Sequence, residues 1–113
     1  MSLAPASVPL PQSPYYGPVT GVSAERNGDS VIISWNPISL RAGDDSLHYP
    51  YLIEAWLCQD GQLKFNAIGS WETIVTVHDE SGCSESTQAR IYGVEKHGYT
   101  AWVTIPWPKP KDQ

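Results

Sequence analysis

The sequence predicts an all-β fold, an antiparallel sandwich of two sheets. Three observations carry this expectation. Turn signals recur along the chain, at Asn27-Gly28-Asp29, Arg41-Ala42-Gly43-Asp44-Asp45, Gln59-Asp60-Gly61, Asp79-Glu80-Ser81-Gly82 and Lys96-His97-Gly98. Short runs rich in Val, Ile, Thr, Tyr and Trp lie between them. No segment carries an apolar repeat of helical period, and short strands punctuated by turns are the pattern that remains.

Seven strands follow in order, near residues 18–25, 30–36, 50–58, 62–69, 72–79, 87–96 and 99–106. Successive side chains of a strand point to opposite faces, so alternation sorts core from surface. In the second strand Val31, Ile33 and Trp35 share a face. In the third, Tyr51, Ile53, Ala55 and Leu57 oppose Leu52, Glu54 and Trp56. In the sixth, Ala89, Ile91 and Gly93 oppose Arg90, Tyr92 and Val94. In the last, Ala101, Val103 and Ile105 oppose Thr100, Trp102 and Thr104. The apolar sets are the expected core.

Size and composition bound the rest. A chain of 113 residues fits one domain with short tails. Apolar residues at 41% suit a globular chain. A net charge of -5 argues against a nucleic-acid partner, which needs a basic stripe. No apolar run approaches the roughly 20 residues that span a bilayer, so membrane insertion is not expected. Met1-Ser2-Leu3 and the Ala-Pro after it offer neither a charged n-region nor an apolar h-region; any targeting signal is expected upstream. Residues 1–18 contain five prolines, Pro5, Pro9, Pro11, Pro14 and Pro18, and residues 1–16 read as a Pro-rich linker leading into the first strand. Residues 108–113 read as a second tail, leaving a domain over 17–107.

Several stretches resemble a fibronectin type III domain, of the kind carried by bacterial secreted multidomain proteins. Pro18-Val19-Thr20-Gly21-Val22 is similar to the family's opening strand. Ser30-Val31-Ile32-Ile33-Ser34-Trp35-Asn36-Pro37 is similar to its second, with Trp35 as the core Trp. Tyr49-Pro50-Tyr51-Leu52-Ile53-Glu54 resembles the third strand. Ala89-Arg90-Ile91-Tyr92-Gly93-Val94, then Gly98-Tyr99-Thr100, resemble the penultimate strand and the turn into the last. The resemblance spans roughly residues 17 to 107, and the order of these motifs carries it more than any one of them. It implies an immunoglobulin-like antiparallel sandwich of seven strands with fibronectin type III topology. Such domains are mostly spacers, adhesion modules or accessory domains, and few are catalytic. One departure stands out. The family often places a Tyr at the corner before the penultimate strand; here Thr87 holds that position, and Cys58 with Cys83 is a candidate for holding the corner instead.

Two Cys in a small domain of an oxidising compartment suggest one disulfide, Cys58 to Cys83. It would close a 25-residue loop, for which the chain-entropy model gives roughly 3 kcal/mol. The other reading is two unpaired thiols. His48, His78 and His97 are scattered over turns and strand ends without a metal-ligand spacing, and exposed or edge histidines are expected. Asp44-Asp45 and Asp79-Glu80 lack the acidic alternation of a calcium loop and read as solvated turn residues. No metal or other cofactor is expected. There is no G-x-S-x-G elbow and no phosphate-cradling Gly-rich loop, so no catalytic residue is expected. Glu54 and Glu72 are a carboxylate pair whose separation the sequence does not define.

The aromatic residues give the sharpest functional expectation. Five Trp and six Tyr stand against one Phe. Trp56, Tyr92 and Trp102, with Arg90 and Glu54 among them, are expected on the outer face of the sheet formed by the third, sixth and seventh strands. Such a platform suits stacking on sugar rings or a protein interface. The bland reading is a cross-strand ladder satisfied within itself, with Arg90 stacked on a Trp. Trp71 and Trp107 belong to a second cluster or to the domain ends. The expected function is a non-catalytic spacer or docking module of a secreted or cell-surface multidomain protein, its partners the neighbouring domains of its own chain. The alternative is a carbohydrate- or cell-surface-binding module using the aromatic face, with Trp56 and Trp102 as anchors. A third reading is a subunit that dimerises through an exposed edge strand.

Overall fold

A computed structural model describes residues 11–110. Pro5, Pro9 and the rest of 1–10 in the expected linker, and residues 111–113 of the expected tail, lie outside the described residues.

The described chain forms eight strands: β1 (Ser23–Asn27), β2 (Ser30–Ser34), β3 (Tyr51–Gln59), β4 (Gln62–Ser70), β5 (Ile74–His78), β6 (Gln88–Glu95), β7 (Gly98–Tyr99) and β8 (Val103–Thr104). They build two antiparallel sheets. One has the order β1-β2-β5; the other runs β4-β3-β6, with β7 and β8 both paired to β6. This is the seven-strand sandwich expected from the sequence, its last strand split in two.

The turns are set by residues that accept a left-handed backbone. Between β3 and β4, Asp60 and Gly61 both have positive φ, 57° and 77°. Two successive positive φ values make the turn whose twist matches a hairpin. It locks Gln59 opposite Gln62 and carries the register along nine residue pairs to Tyr51 opposite Ser70. Gly28, at φ 65°, begins the two-residue turn that sets Asn27 opposite Ser30 between β1 and β2.

Alternation places the core as expected. Val31, Ile33, Trp35, Tyr51, Ile53, Ala55, Leu57, Ala89, Ile91 and Ile105 form one buried cluster between the sheets, joined by Val19 and Val77. Each fully buried Ile or Leu contributes about 1.5–3 kcal/mol of transfer free energy. Trp35 meets the Tyr51 ring edge to face at 5.4 Å. The Tyr51 hydroxyl accepts from the Ile38 amide at 2.9 Å, tying down the segment that follows β2.

Two strands differ from expectation. The first begins at Ser23 rather than residue 18, because Gly21 turns the backbone at φ 67°. The preceding residues still pack: Val19 is buried, and Thr20 accepts from the Asn36 amide at 2.9 Å. The last strand breaks across 100–102. There Thr100 is turned inward, and its hydroxyl accepts from the Gly93 amide at 2.8 Å. Ala101 is therefore exposed, while Val103 and Ile105 keep their core positions.

Two aspartates correct the sequence reading. Asp44 and Asp79, expected as solvated turn residues, are 6% and 1% exposed. Each is surrounded by hydrogen-bond donors, which is what makes a buried carboxylate tolerable.

Candidate functional site

The outer face of the larger sheet is fixed by register. Glu54 stands opposite Arg90, Leu52 opposite Tyr92, and Trp56 opposite both Gln88 and Phe65. Arg90 in turn stands opposite Thr104 of β8. The expected residues do share this face, but they do not form a uniform exposed platform. Arg90 was expected as a surface contact. It is 7% exposed, donates from Nε to Glu54 Oε1 at 2.6 Å, and lies with its guanidinium 5.2 Å from the Trp102 ring centroid. Tyr92 is buried as well. Its ring meets Tyr99 edge to face at 5.5 Å. Burial pushes its hydroxyl pKa up to about 12, helped by the adjacent Glu54 carboxylate.

What remains open on this face is aromatic edge and plane. Trp102 is 57% exposed and Phe65 50%. Trp56 is half-buried and packs edge to face on Phe65 at 5.5 Å. The face therefore divides into a Trp56–Phe65 pair and a Glu54–Arg90–Trp102 ladder. Phe65 was not singled out from the sequence. The signal was present, because a two-residue Asp60-Gly61 turn forces Phe65 opposite Trp56.

The two poles of the sandwich hold the remaining polar chemistry. At one, Cys58 and Cys83 are joined in a disulfide, with Cα atoms 5.9 Å apart. Beside it, Asp79 gathers donors from across the chain. Its Oδ1 accepts from the Cys58 amide and from the Thr87 hydroxyl, each at 2.7 Å. Its Oδ2 accepts from Arg26 Nη2 at 2.6 Å and from Trp107 Nε1 at 2.8 Å. Burial alone would raise the Asp79 pKa, but these four donors hold it below the ordinary carboxylate range. Arg26 also donates to the Pro108 carbonyl from Nε and Nη2, at 3.2 and 3.0 Å. Thr87 thus ties the corner before β6 to Asp79, with the disulfide beside it. Trp107, unplaced from sequence, belongs here.

At the opposite pole, residues 11–16 are seated on the body. Ser13 donates its amide to the Tyr99 carbonyl at 2.7 Å, and Tyr99 donates back to the Pro11 carbonyl at 2.8 Å. Tyr16 donates its hydroxyl to Asp44 Oδ2 and accepts from the Arg41 amide at 2.9 Å. Arg41 Nε donates to the same oxygen at 2.8 Å. The Tyr16 hydroxyl and then Arg41 hold the Asp44 carboxyl below its usual pKa. Asp44 raises the guanidinium of Arg41 in return. Tyr15 covers this pole, with Arg41 4.1 Å from its ring centroid and His97 edge to face at 4.7 Å. Trp71, also unplaced from sequence, pairs with Tyr49 at 5.4 Å and lines a cleft of about 510 Å³ with Asp45, His48 and Pro50.

No family model matches the chain, and no curated protein matches it. Solved structures do. One described as "Titin kinase and its flanking domains" is 21% identical over 85% of this chain, with a TM-score of 0.57. This chain spans only 17% of that one. A second, "a Fn3-like protein from Clostridium thermocellum", is 19% identical, with 84% of this chain and 96% of that chain covered and a TM-score of 0.43. The strand order and the first of these likenesses agree on the fold, an immunoglobulin and fibronectin type III-like sandwich.

Proposed function

We propose that this chain is a non-catalytic spacer or docking module of a secreted or cell-surface multidomain protein. The observation that carries the reading is where the ends are fastened. Residues 11–16 are bonded to β7 at one pole, and Trp107 and Pro108 are bonded to Asp79 and Arg26 at the other. The structure with these ends included is elongated, 46 × 28 × 19 Å in extent. A rigid unit gripped at both poles transmits position and orientation from one neighbour to the next. The disulfide supports an oxidising compartment.

The outer face supports a second reading, a carbohydrate- or cell-surface-binding module. Its carrying observation is the exposure of Trp102 and Phe65, with Trp56 beside them. Trp56 and Trp102 are the anchors in this reading, with Tyr92 on the same face and Arg90 stacked against Trp102. Titration of tryptophan fluorescence against soluble polysaccharides and oligosaccharides separates the two. The spacer predicts a flat response. A saturable shift that is lost in Trp102→Ala, with the fold retained, overturns the spacer in favour of binding.

A further inference from the structure

We propose that Asp44, Glu95 and His97 form a binding site for one divalent transition-metal ion of the zinc class. The donor atoms would be Asp44 Oδ1, Glu95 Oε2 and His97 Nδ1. None of the sequence spacings pointed to such a site, because Asp44 reaches it from a distant loop.

Geometry carries the proposal first. One ligand atom from each residue lies within 4.8 Å of the other two. His97 Nδ1 is 3.0 Å from Glu95 Oε2 and 3.9 Å from Asp44 Oδ1. Ligand atoms around a tetrahedral zinc at about 2.0–2.1 Å stand roughly 3.3–3.5 Å from one another, so small rotations complete the set.

The carboxylates are also pre-oriented. Asp44 Oδ2 is taken by the Tyr16 hydroxyl and Arg41 Nε, which turns Oδ1 toward His97. Glu95 Oε1 is taken by the His97 amide at 2.8 Å, which turns Oε2 toward the same ring. The backbone holds the two parts together, since Lys96 donates its amide to the Asp44 carbonyl at 2.9 Å. Outer partners that tie one oxygen and direct the other are how metal ligands are aimed.

Charge and burial point the same way. The side chains of Glu95 and Asp44 are 1% and 9% exposed. Among the described residues, Arg41 is the one guanidinium at this cluster, and it serves Asp44. Among the described residues, the Glu95 side chain meets the amide and ring of His97 and no Lys or Arg. Two buried carboxylates thus share one guanidinium, and buried carboxylates are either paired or bound to metal. An imidazole nitrogen with two carboxylates suits zinc, nickel or copper, whereas calcium and magnesium take oxygen ligands. An open cleft of about 420 Å³, lined by His48, Glu95, His97 and Gly98 among others, gives an ion access. A bound ion would join the loop carrying Asp44 to the β6–β7 turn, directly beneath Tyr15 and Tyr16.

The test is isothermal titration calorimetry of the chelator-treated chain with zinc, nickel and calcium chlorides. One zinc per chain is expected, weakened about 10-fold or more in His97→Ala and in Asp44→Asn. His97 is one-third exposed, so its variant keeps the fold even where Asp44→Asn does not. His78→Ala, which removes an exposed His–Glu pair, should leave the affinity unchanged. Absence of saturable zinc heat up to millimolar concentration overturns the proposal. So does binding that survives His97→Ala, or that is lost in His78→Ala.

Discussion

The indole N–H of Trp107 donates to the Asp79 carboxylate at 2.8 Å, across 28 residues of sequence. This bond brings the end of the last strand onto the loop that leaves β5. It works because Asp79 faces four donors and has two oxygens able to accept them. Arg26 supplies the one formal charge, at 8% side-chain exposure. The pair is buried, bonded on both sides and close to the disulfide. The lower corner of the sandwich, the exit of the chain and the hairpin end at Cys58 therefore depend on one side chain.

Asp79→Ala is expected to destabilise the fold by about 3–5 kcal/mol, since it leaves the buried Arg26 guanidinium without a counter-charge. Urea denaturation followed by tryptophan fluorescence reads this directly, and a loss within 1 kcal/mol (about the net worth of one ordinary hydrogen bond) contradicts it. The pH dependence has a definite sign. The native Asp79 pKa lies below the unfolded value, so the unfolded chain takes up its proton first as pH falls. The contribution is complete above about pH 4 and is lost as pH falls through the native value. Asp79→Asn should remove that part of the acid sensitivity.

Tyr92 predicts behaviour at the alkaline end. Its hydroxyl is pushed up to about 12 by burial and by the Glu54 carboxylate. Ultraviolet titration should show one of the six tyrosines ionising last, and Tyr92→Phe should remove that step. The unfolded chain releases this proton near pH 10, so stability should fall as pH rises from about 10 towards the native value. An unchanged titration curve in Tyr92→Phe would assign the late step elsewhere.

Gly98 predicts how the first described residues are held. Its φ is 148°, and a Cβ there would lie 2.5 Å from the Pro11 carbonyl oxygen. Gly98→Ala is therefore expected to unseat residues 11–16 while sparing the sandwich core. Hydrogen exchange should lose protection at the Ser13 and Tyr99 amides, and keep it at Ile53 and Ile91. The cost in global stability should be about 1–3 kcal/mol, the usual scale for a residue held in a sparsely populated backbone conformation. Equal loss of protection in the core would show that the segment is integral to the sandwich.

Much of the fold follows from local pattern. Alternation along Val31-Ile32-Ile33 and Tyr51 to Leu57 has a period of two, and one buried face is enough to fix which residues turn inward. Asp60-Gly61 sets its hairpin because few residues tolerate two successive positive φ values. The two cysteines were legible as a pair on chemistry alone. For the same reason Trp56, Arg90 and Trp102 could be placed on one face before any contact was known.

What tertiary structure decided is which polar groups that architecture brings together. Asp79 and Asp44 look like ordinary turn residues, since nothing near them in sequence announces a donor. Their partners come from Arg26, Thr87 and Trp107 in one case and from Tyr16, Arg41 and His97 in the other. For Arg90 the sequence leaves two readings, a binding contact or a ladder with Arg90 stacked on a Trp, and the bond to Glu54 and the Trp102 ring decide for the ladder. Periodicity is a property of neighbours along the chain and survives in the sequence. Satisfaction of a buried charge depends on residues many positions apart, and only the folded chain determines which of them arrive.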